Sequence, residues 1–545
     1  MKNKHKFIHN SSHLSLMLVC LFFANLAQAN GNQQIIARTG DPASGTPAGT
    51  FHSSFTNPVL NNNAQFAYLG SLQTGPNTSR SIWLDDTLVA RQGFQAAGTP
   101  TGALHSSLGT PVLNNNGQFA YDGILQTGSG GVTASNNHGF WRDNTLIARE
   151  GFQAAGTPTG ALYSSFNSPV LNNNGQLAYT GTLQTGAGGV TVNNDQGIWR
   201  ENRLFLREGF QAAGTPPGAL YSFFSTPVLN NNGQLAYWGS LKTGVGGVTL
   251  NNNSGIWLDN TLVARKGFQA AGSPTGALYS SFFNHALNNN GQLAYIGNLQ
   301  PGAGGVTVDN DAGIWRDNKL IVREGSRAGG DTVYSNFSNL ILNENGQVAY
   351  NANLKQGIGG VTSNNNNGIW RDNSLIAREG SQAAGSSTGA LFSAFSNKGF
   401  NNNGQLVYKA FLRSGAGGVT ANNDSGIWIT GSNNDSLQII REGENLDGKT
   451  VSRLSLSVDG FNDFSQLAYQ AEFTNGDEAV ILYTPDLHWI SSFSHNWDSD
   501  FNWTIAQAPG KVHDVFLLIL AKISRLTGLQ VKQLLNNSKS VVARA

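Results

Sequence analysis

The sequence predicts an all-β fold, an eight-bladed β-propeller closed by an N-terminal strand. Three observations carry this reading. One unit recurs eight times. Each unit offers about four short strand signals and no helical periodicity. The incomplete units at the two ends complement each other, so each kind of strand reaches eight copies only if the ends share a blade. An open β-solenoid is the alternative arrangement for such a repeat.

The repeat is plainest in NNNAQFAY at 61–68, whose relatives begin at Asn114, Asn172, Asn230, Asn288, Asn343, Asn401 and Asn462, at spacings of 53, 58, 58, 58, 55, 58 and 61 residues. In the unit at 161–209, ALYSSFNSPVLNNNG leads into a turn, and Asn-Gly there favours the positive φ of a tight hairpin. QLAYTGTLQ then alternates apolar and polar residues, as a half-buried strand does. TGAGGVTVNNDQ is a Gly/Asn-rich loop, and GIWRENRLFLREG reads as two strands around Glu201-Asn202. A tyrosine follows the turn in all eight copies (Tyr68, Tyr121, Tyr179, Tyr237, Tyr295, Tyr350, Tyr408, Tyr469). A tryptophan stands in the third strand of seven copies, from Trp83 to Trp428, and Ile481 takes its place in the eighth. Large aromatics at fixed positions are what face-to-face sheet packing uses.

The phase of the repeat predicts the closure. The fourth strand, LIAREG and its variants, ends the seventh unit near Gly443, but the eighth unit stops near Tyr483 without one. The missing copy is Gln34–Gly40 at the other end, and such a clasp removes exposed sheet edges.

The segments outside the repeats read differently. Residues 1–29 look like a signal peptide: Lys2, Lys4 and Lys6, an apolar run from Leu14 to Leu26, then Ala27-Gln28-Ala29 as a cleavage site. Cleavage would leave no cysteine, because Cys20 is the only one, and hence no disulfide and no thiol ligand. The signal holds three of the 33 basic residues and none of the 32 acids, so the mature chain would carry a net charge of −2. That gives no electrostatic case for nucleic acid or an anionic membrane, and no later stretch is long and apolar enough to span a membrane. The expected location is outside the cell or on its outer surface, with the periplasm also open. The domain reading is therefore a signal peptide at 1–29, the eight-repeat propeller at 30–484, and a C-terminal extension at 485–545.

The units ARTGDPASGTPAGTFHSSFTNPVLNNNAQFAY and NNNGQLAY…GIWRDN…LIAREG resemble a bacterial family of exported tandem repeats with the motif NxxGxxAF, with Tyr standing here for the Phe. The resemblance covers roughly residues 34–484. It implies export and a repeat architecture and brings no catalytic activity. In the extension, Trp497-Asp498, Asn502-Trp503, Pro509 and Asp514-Val515 resemble the opening of β-rich repeats in autotransporter-like surface proteins, which implies a truncated surface module. A tail without regular structure is the other reading.

Candidate chemistry is sparse. Gly385-Ser386-Ser387-Thr388-Gly389 has the G-x-S-x-G form, but it lies between strands, and Pro158 holds the place of Ser387 in another unit. His52, His105, His138, His285, His488, His495 and His513 form no close ligand pair, so zinc is not expected. Asp309–Gly313 loosely resembles a calcium loop, yet its equivalent Asn365–Gly368 has no carboxylate. No cofactor is expected. An arginine recurs once per unit: Arg38, Arg91, Arg149, Arg207, Arg265, Arg323, Arg378 and Arg441. This series could line a channel and bind an anion or acidic glycan, or it could be structural, each arginine pairing a local acid or capping backbone carbonyls. Most carboxylates recur in several units, as Asp143, Asp259, Asp317 and Asp372 do, whereas a single catalytic centre needs residues special to one unit. The functional expectation is a secreted or cell-surface scaffold for binding or display, with an extracellular glycan or protein as partner. The alternative is a carbohydrate-active enzyme on a propeller.

Overall fold

The computed structural model describes residues 31–167, 169–488, 514–518 and 540–544. The expected signal peptide at 1–29 and most of the expected extension lie outside the described residues. All regular structure among the described residues is β, and no described helix is long and apolar enough to cross a membrane.

Eight antiparallel sheets follow one another as the blades of an eight-bladed β-propeller. Blades 1–7 span 50–91, 105–149, 163–207, 221–265, 279–323, 327–378 and 392–441. Blade 8 is assembled from both ends of the repeat region. Gly31–Arg38 pairs antiparallel with Glu478–Pro485, Ile35 opposite Ile481, as the fourth strand of a sheet begun by Lys449–Phe461. The expected clasp is thus present. Ile35 and Ile36 pack into two different core clusters, one on each side of blade 8. Beyond it, Leu487–His488, Asp514–Leu518 and Ser540–Arg544 pair in parallel.

Within a blade the strands run in sequence order from first to fourth. The first strands lie innermost, where Val170–Leu171 touches Val112–Leu113 on one side and Val228–Leu229 on the other. Because neighbouring strands alternate in direction, the turns fall on two faces. The turn between first and second strands and the turn between third and fourth share the lower face. The long loop between second and third strands (the hairpin loop) and the crossover to the next blade share the upper face.

Local chemistry explains each turn. The two-residue turn Glu201-Asn202 has φ of 48° and 54°, the double positive φ of a type I′ hairpin, and Asp143-Asn144 and Asp317-Asn318 do the same. In the lower inner turn the positive φ falls on Gly175 at 78°; where glycine is missing, Ala64 (61°) and Ser465 (59°) bear it instead. On the upper face a Cβ on Gly188 would lie 2.2 Å from the Ala161 nitrogen, so the hairpin loop can lie against its own crossover only with glycine there.

The core sits between blades. Tyr179 and Trp199 stand opposite each other in register and stack at 6.1 Å and 8°, while Tyr163 from the first strand meets Trp199 edge-on at 5.1 Å. Buried aromatic pairs of this kind each add about 0.5–1.5 kcal/mol beyond area burial. The indole Nε1 donates to the Ala155 carbonyl of the crossover, at 3.0 Å, so the tryptophan also ties the crossover down. In blade 6 the crossover is shorter, and the buried Trp370 Nε1 has no hydrogen-bond partner. In blade 8, Ile481 stands opposite Tyr469, where the other blades have Trp.

Candidate functional site

The lower inner turns form a closed circuit. The first asparagine of each turn is buried and spends its whole side chain. Asn172 Oδ1 accepts from the nitrogens of Asn174 and Gln176, and Nδ2 donates to Gln176 Oε1 and to the Asn230 carbonyl of the next blade. The interblade bond repeats from Asn61 through Asn114, Asn172, Asn230, Asn288, Asn343 and Asn401 to Asn462, which donates back to the Asn61 carbonyl at 3.1 Å. The second position makes a parallel circuit in which each backbone nitrogen donates to the next blade's side-chain oxygen. There too the eighth link closes the ring, from Asp463 N to Asn62 Oδ1 at 3.0 Å. Two carboxylates interrupt the asparagines at this position, Glu344 and Asp463, and both accept bonds from neighbouring asparagines. Burial, then the Asp463 charge, raises the Glu344 pKa, although the Asn289 backbone bond opposes this. The circuit is a belt around the axis whose polar atoms are committed to one another.

The arginine series stands in the fourth strands, the outermost in each sheet. Arg207 Nε donates to the Asn194 carbonyl at 2.7 Å, and a terminal nitrogen reaches Asn194 Oδ1. Arg149, Arg323 and Arg441 hold Asn136, Asn310 and Asn423 through the same pair of atoms, and Arg265 and Arg378 hold the carbonyls of Asn252 and Asn365. These six fasten the hairpin loop of their own blade. Arg91 instead bonds Ser79 and Thr74, and Arg38, on the clasp strand, pairs with Asp447.

The other sequence candidates are spread through the fold. Ser387 Oγ donates to the Gly417 carbonyl in a loop contact. In the loop at 307–313, Asn310 Oδ1 caps Thr307 N at 2.9 Å and Asp309 pairs with Lys355. Among the described residues no three His, Cys, Asp or Glu are grouped to hold a metal. His52 and His105 replace the first-strand tyrosine and lie edge-on to Trp83 and Trp141, where burial lowers the pKa of both, against the Asp41 charge at His52, and takes His105 down to about 4. His138 behaves oppositely. Burial disfavours its charge, but Asp122 at 3.4 Å and Glu150 at 3.7 Å outweigh burial and raise its pKa to about 9. Burial and a neighbouring carboxylate, Asp195 or Asp311, raise Glu208 and Glu324. This acid pairing recurs in two blades and so marks no single centre.

One concavity combines residues that no other blade combines. It lies on the upper face between blades 6 and 7, with a volume of about 570 Å³, and is lined by Ser363, Asn364, Ser393, Phe411, Arg413 and Asp424 among others. Volumes of this size suit small-molecule and cofactor sites. Phe411 is 36% exposed, with Lys409 Nζ 5.1 Å from its ring centroid. Arg413 donates across the blade boundary to the Asn364 carbonyl at 2.9 Å, which fixes the guanidinium at the rim. At the place of Phe411 the other blades have Ser71, Ile124, Thr182, Ser240, Asn298, Asn353 and Glu472. Reading the repeats for what they share passes over this site. Its signal is the reverse, an aromatic beside an arginine in one unit alone.

The sequence matches a family of unknown function, DUF7453, over residues 23–205, 202–375 and 359–483. The chain belongs to this family. The three DUF7453 matches succeed one another through all eight blades, as expected of a repeat family. No curated protein matches this DUF7453 sequence. Among solved structures, the chain is similar to the Dos1 propeller (10% identity, 81% of this chain and 95% of that one, TM-score 0.34). It is also similar to a eukaryotic initiation factor (10%, 84% and 99%, TM-score 0.38) and to prolyl oligopeptidase B from Galerina marginata (9%, 77% and 56%, TM-score 0.36). Likeness this remote says nothing of what a DUF7453 protein binds.

Proposed function

We propose that this protein is an exported binding scaffold whose ligand, a saccharide, sits in the upper-face pocket of blades 6 and 7. The observation that carries the reading is the combination of Phe411, Arg413 and Asp424 in one blade of an otherwise repetitive ring. An exposed phenyl face packs on the apolar C–H face of a sugar ring. The guanidinium and carboxylate supply a donor and an acceptor for hydroxyls, and Ser393 and Asn364 add neutral partners. Export is the counterpart of the N-terminal pattern at 1–29, and an outer-surface location suits a glycan ligand.

The test is a glycan array probed with the mature chain, followed by the same array with Phe411→Ala and with Arg413→Ala. Binding to a defined saccharide set that drops about tenfold or more in both variants supports the assignment. Signal that persists in both, or no saccharide bound at all, removes it. Cleavage of a bound polysaccharide, assayed in parallel, would convert the scaffold into an enzyme.

A further inference from the structure

The upper face carries a second blade-specific feature, separate from the pocket. In the crossovers entering blades 2–5, Phe94, Phe152, Phe210 and Phe268 are each about half exposed, at 50–53%. The tips of the hairpin loops of blades 3 and 4 add Val192 and Leu250, at 73% and 72%, and Val308 at the tip of the next loop is 74% exposed. In the other four crossovers the same position holds Asp41, Ser326, Ser381 and Glu444. At this crossover position the aromatic residues therefore occupy one half of the ring, although Phe51 and Phe411 are exposed on the upper face of the other half, at 41% and 36%.

Three properties of this arc constrain what covers it. First, equivalent positions of a closed ring lie on one circle around its axis, so four equivalent phenyl groups can meet one flat surface together. Second, the crossover glutamines beside the phenyl groups, Gln153 and Gln211, are engaged within their own crossovers, and Asn194 caps its own loop. Third, charge follows the arc. The loops at 74–80, 91–104, 126–138, 149–162, 184–196, 207–220, 242–254 and 265–278 hold seven Lys and Arg against three acids. The corresponding loops of the other half, at 300–312, 323–333, 355–367, 378–391, 413–425, 441–450, 474–478 and 38–51, hold eight against twelve. Arg80, Arg91, Lys242 and Lys266 are not fully buried, so part of the positive charge meets solvent.

The geometry points to a lipid bilayer with anionic headgroups as the surface that this arc docks on. Phenyl, valine and leucine side chains enter the boundary between headgroups and acyl chains, while the basic loops meet the phosphates. Guanidinium groups stacked 5.0 Å from the rings of Phe94, Phe152 and Phe268 hold three of the four rings in place before contact.

Flotation with vesicles tests this. The mature chain is expected to partition onto vesicles of equal parts phosphatidylcholine and phosphatidylglycerol and much less onto phosphatidylcholine alone. Phe152→Ser with Phe210→Ser, which installs the residue found at 326 and 381, should weaken partitioning about tenfold per ring with an unchanged melting profile. Lys266→Glu, which leaves the rings intact, should weaken it several-fold on the anionic vesicles only, and carries the test if the serine variant misfolds. Phe411→Ala should leave partitioning unchanged, which separates this surface from the pocket. The proposal is overturned if the chain stays off both vesicles or if the serine variant partitions as the parent does. It is overturned equally if the arc instead mediates retention on insoluble chitin or cellulose, or a self-association that the same substitutions abolish.

Discussion

The lower and upper faces of this propeller are built from the same eight units, yet they obey opposite rules. On the lower face, each unit repeats its neighbour: the first asparagine of every turn is buried and makes the same bond to the next blade, through to the closing link from Asn462 to Asn61. On the upper face, the loops share a glycine scaffold but differ at their tips. Phe411 stands where blade 3 has Thr182, and Phe152 stands where blade 7 has Ser381 beside its own crossover. Repetition marks the parts that must fit each other, and individuality marks the parts left to meet something else. In a repeat protein the residues that recur are therefore the poorer guide to ligand binding.

The comparison can be broken at its seam first. Deleting residues 31–38 removes a strand paired along almost its whole length and uncovers the Glu478–Pro485 edge. With about 1 kcal/mol per ladder hydrogen bond and the lost burial of Ile35 and Ala37, the expected loss is on the order of 5 kcal/mol or more, with aggregation through the open edge. Denaturant unfolding with light scattering would show it; an unchanged midpoint would contradict the clasp. Next, Asn172→Ala leaves four partners of one buried side chain unsatisfied and should cost about 2–4 kcal/mol, whereas Asn193→Ala on the upper hairpin loop should cost under about 0.5 kcal/mol. Equal costs would erase the distinction between faces.

A third test uses pH. His138 is held protonated by Asp122 and Glu150, so its folded pKa, about 9, lies above the ordinary 6.5. The stability it contributes is fully present below about pH 6.5 and is lost as pH rises through 9, on the order of 2–3 kcal/mol for a group this enclosed. Melting temperatures across this window should fall in the parent, and the fall should be much smaller in His138→Gln, which installs the residue of blade 3 at 196. A parallel fall in both would assign the effect elsewhere. The smallest expected effect is a gain. Ala64→Gly relieves a positive φ and should stabilise by about 1 kcal/mol, while the reverse change, Gly175→Ala, should destabilise by at least as much.

The strands, the blade count, the clasp and the aromatic core were legible because each depends on local pattern repeated eight times. The clasp follows from counting strands, whereas the register that sets Ile35 opposite Ile481 is seen only in the fold. The asparagine belt was only half legible. Asn-Gly reads as a turn, but the reason for three successive asparagines lies in hydrogen bonds between residues mostly 53–61 positions apart, which no local pattern expresses. The arginines show the same limit: their recurrence was plain, but only the fold shows six of them fastening hairpin loops. The pocket was illegible for the opposite reason. Phe411, Arg413, Asn364 and Ser393 come from two strands and two hairpin loops of two blades, and none belongs to a motif.

The account rests on the claim that blade-specific upper-face residues bind ligand while their counterparts elsewhere do not. The most direct test is a titration of the saccharide identified on the array into two variants altered at the same place in different blades, Phe411→Ala and Thr182→Ala. The account predicts at least a tenfold weaker isotherm for Phe411→Ala and the parent isotherm for Thr182→Ala. Equal weakening in both, or none in either, would contradict it.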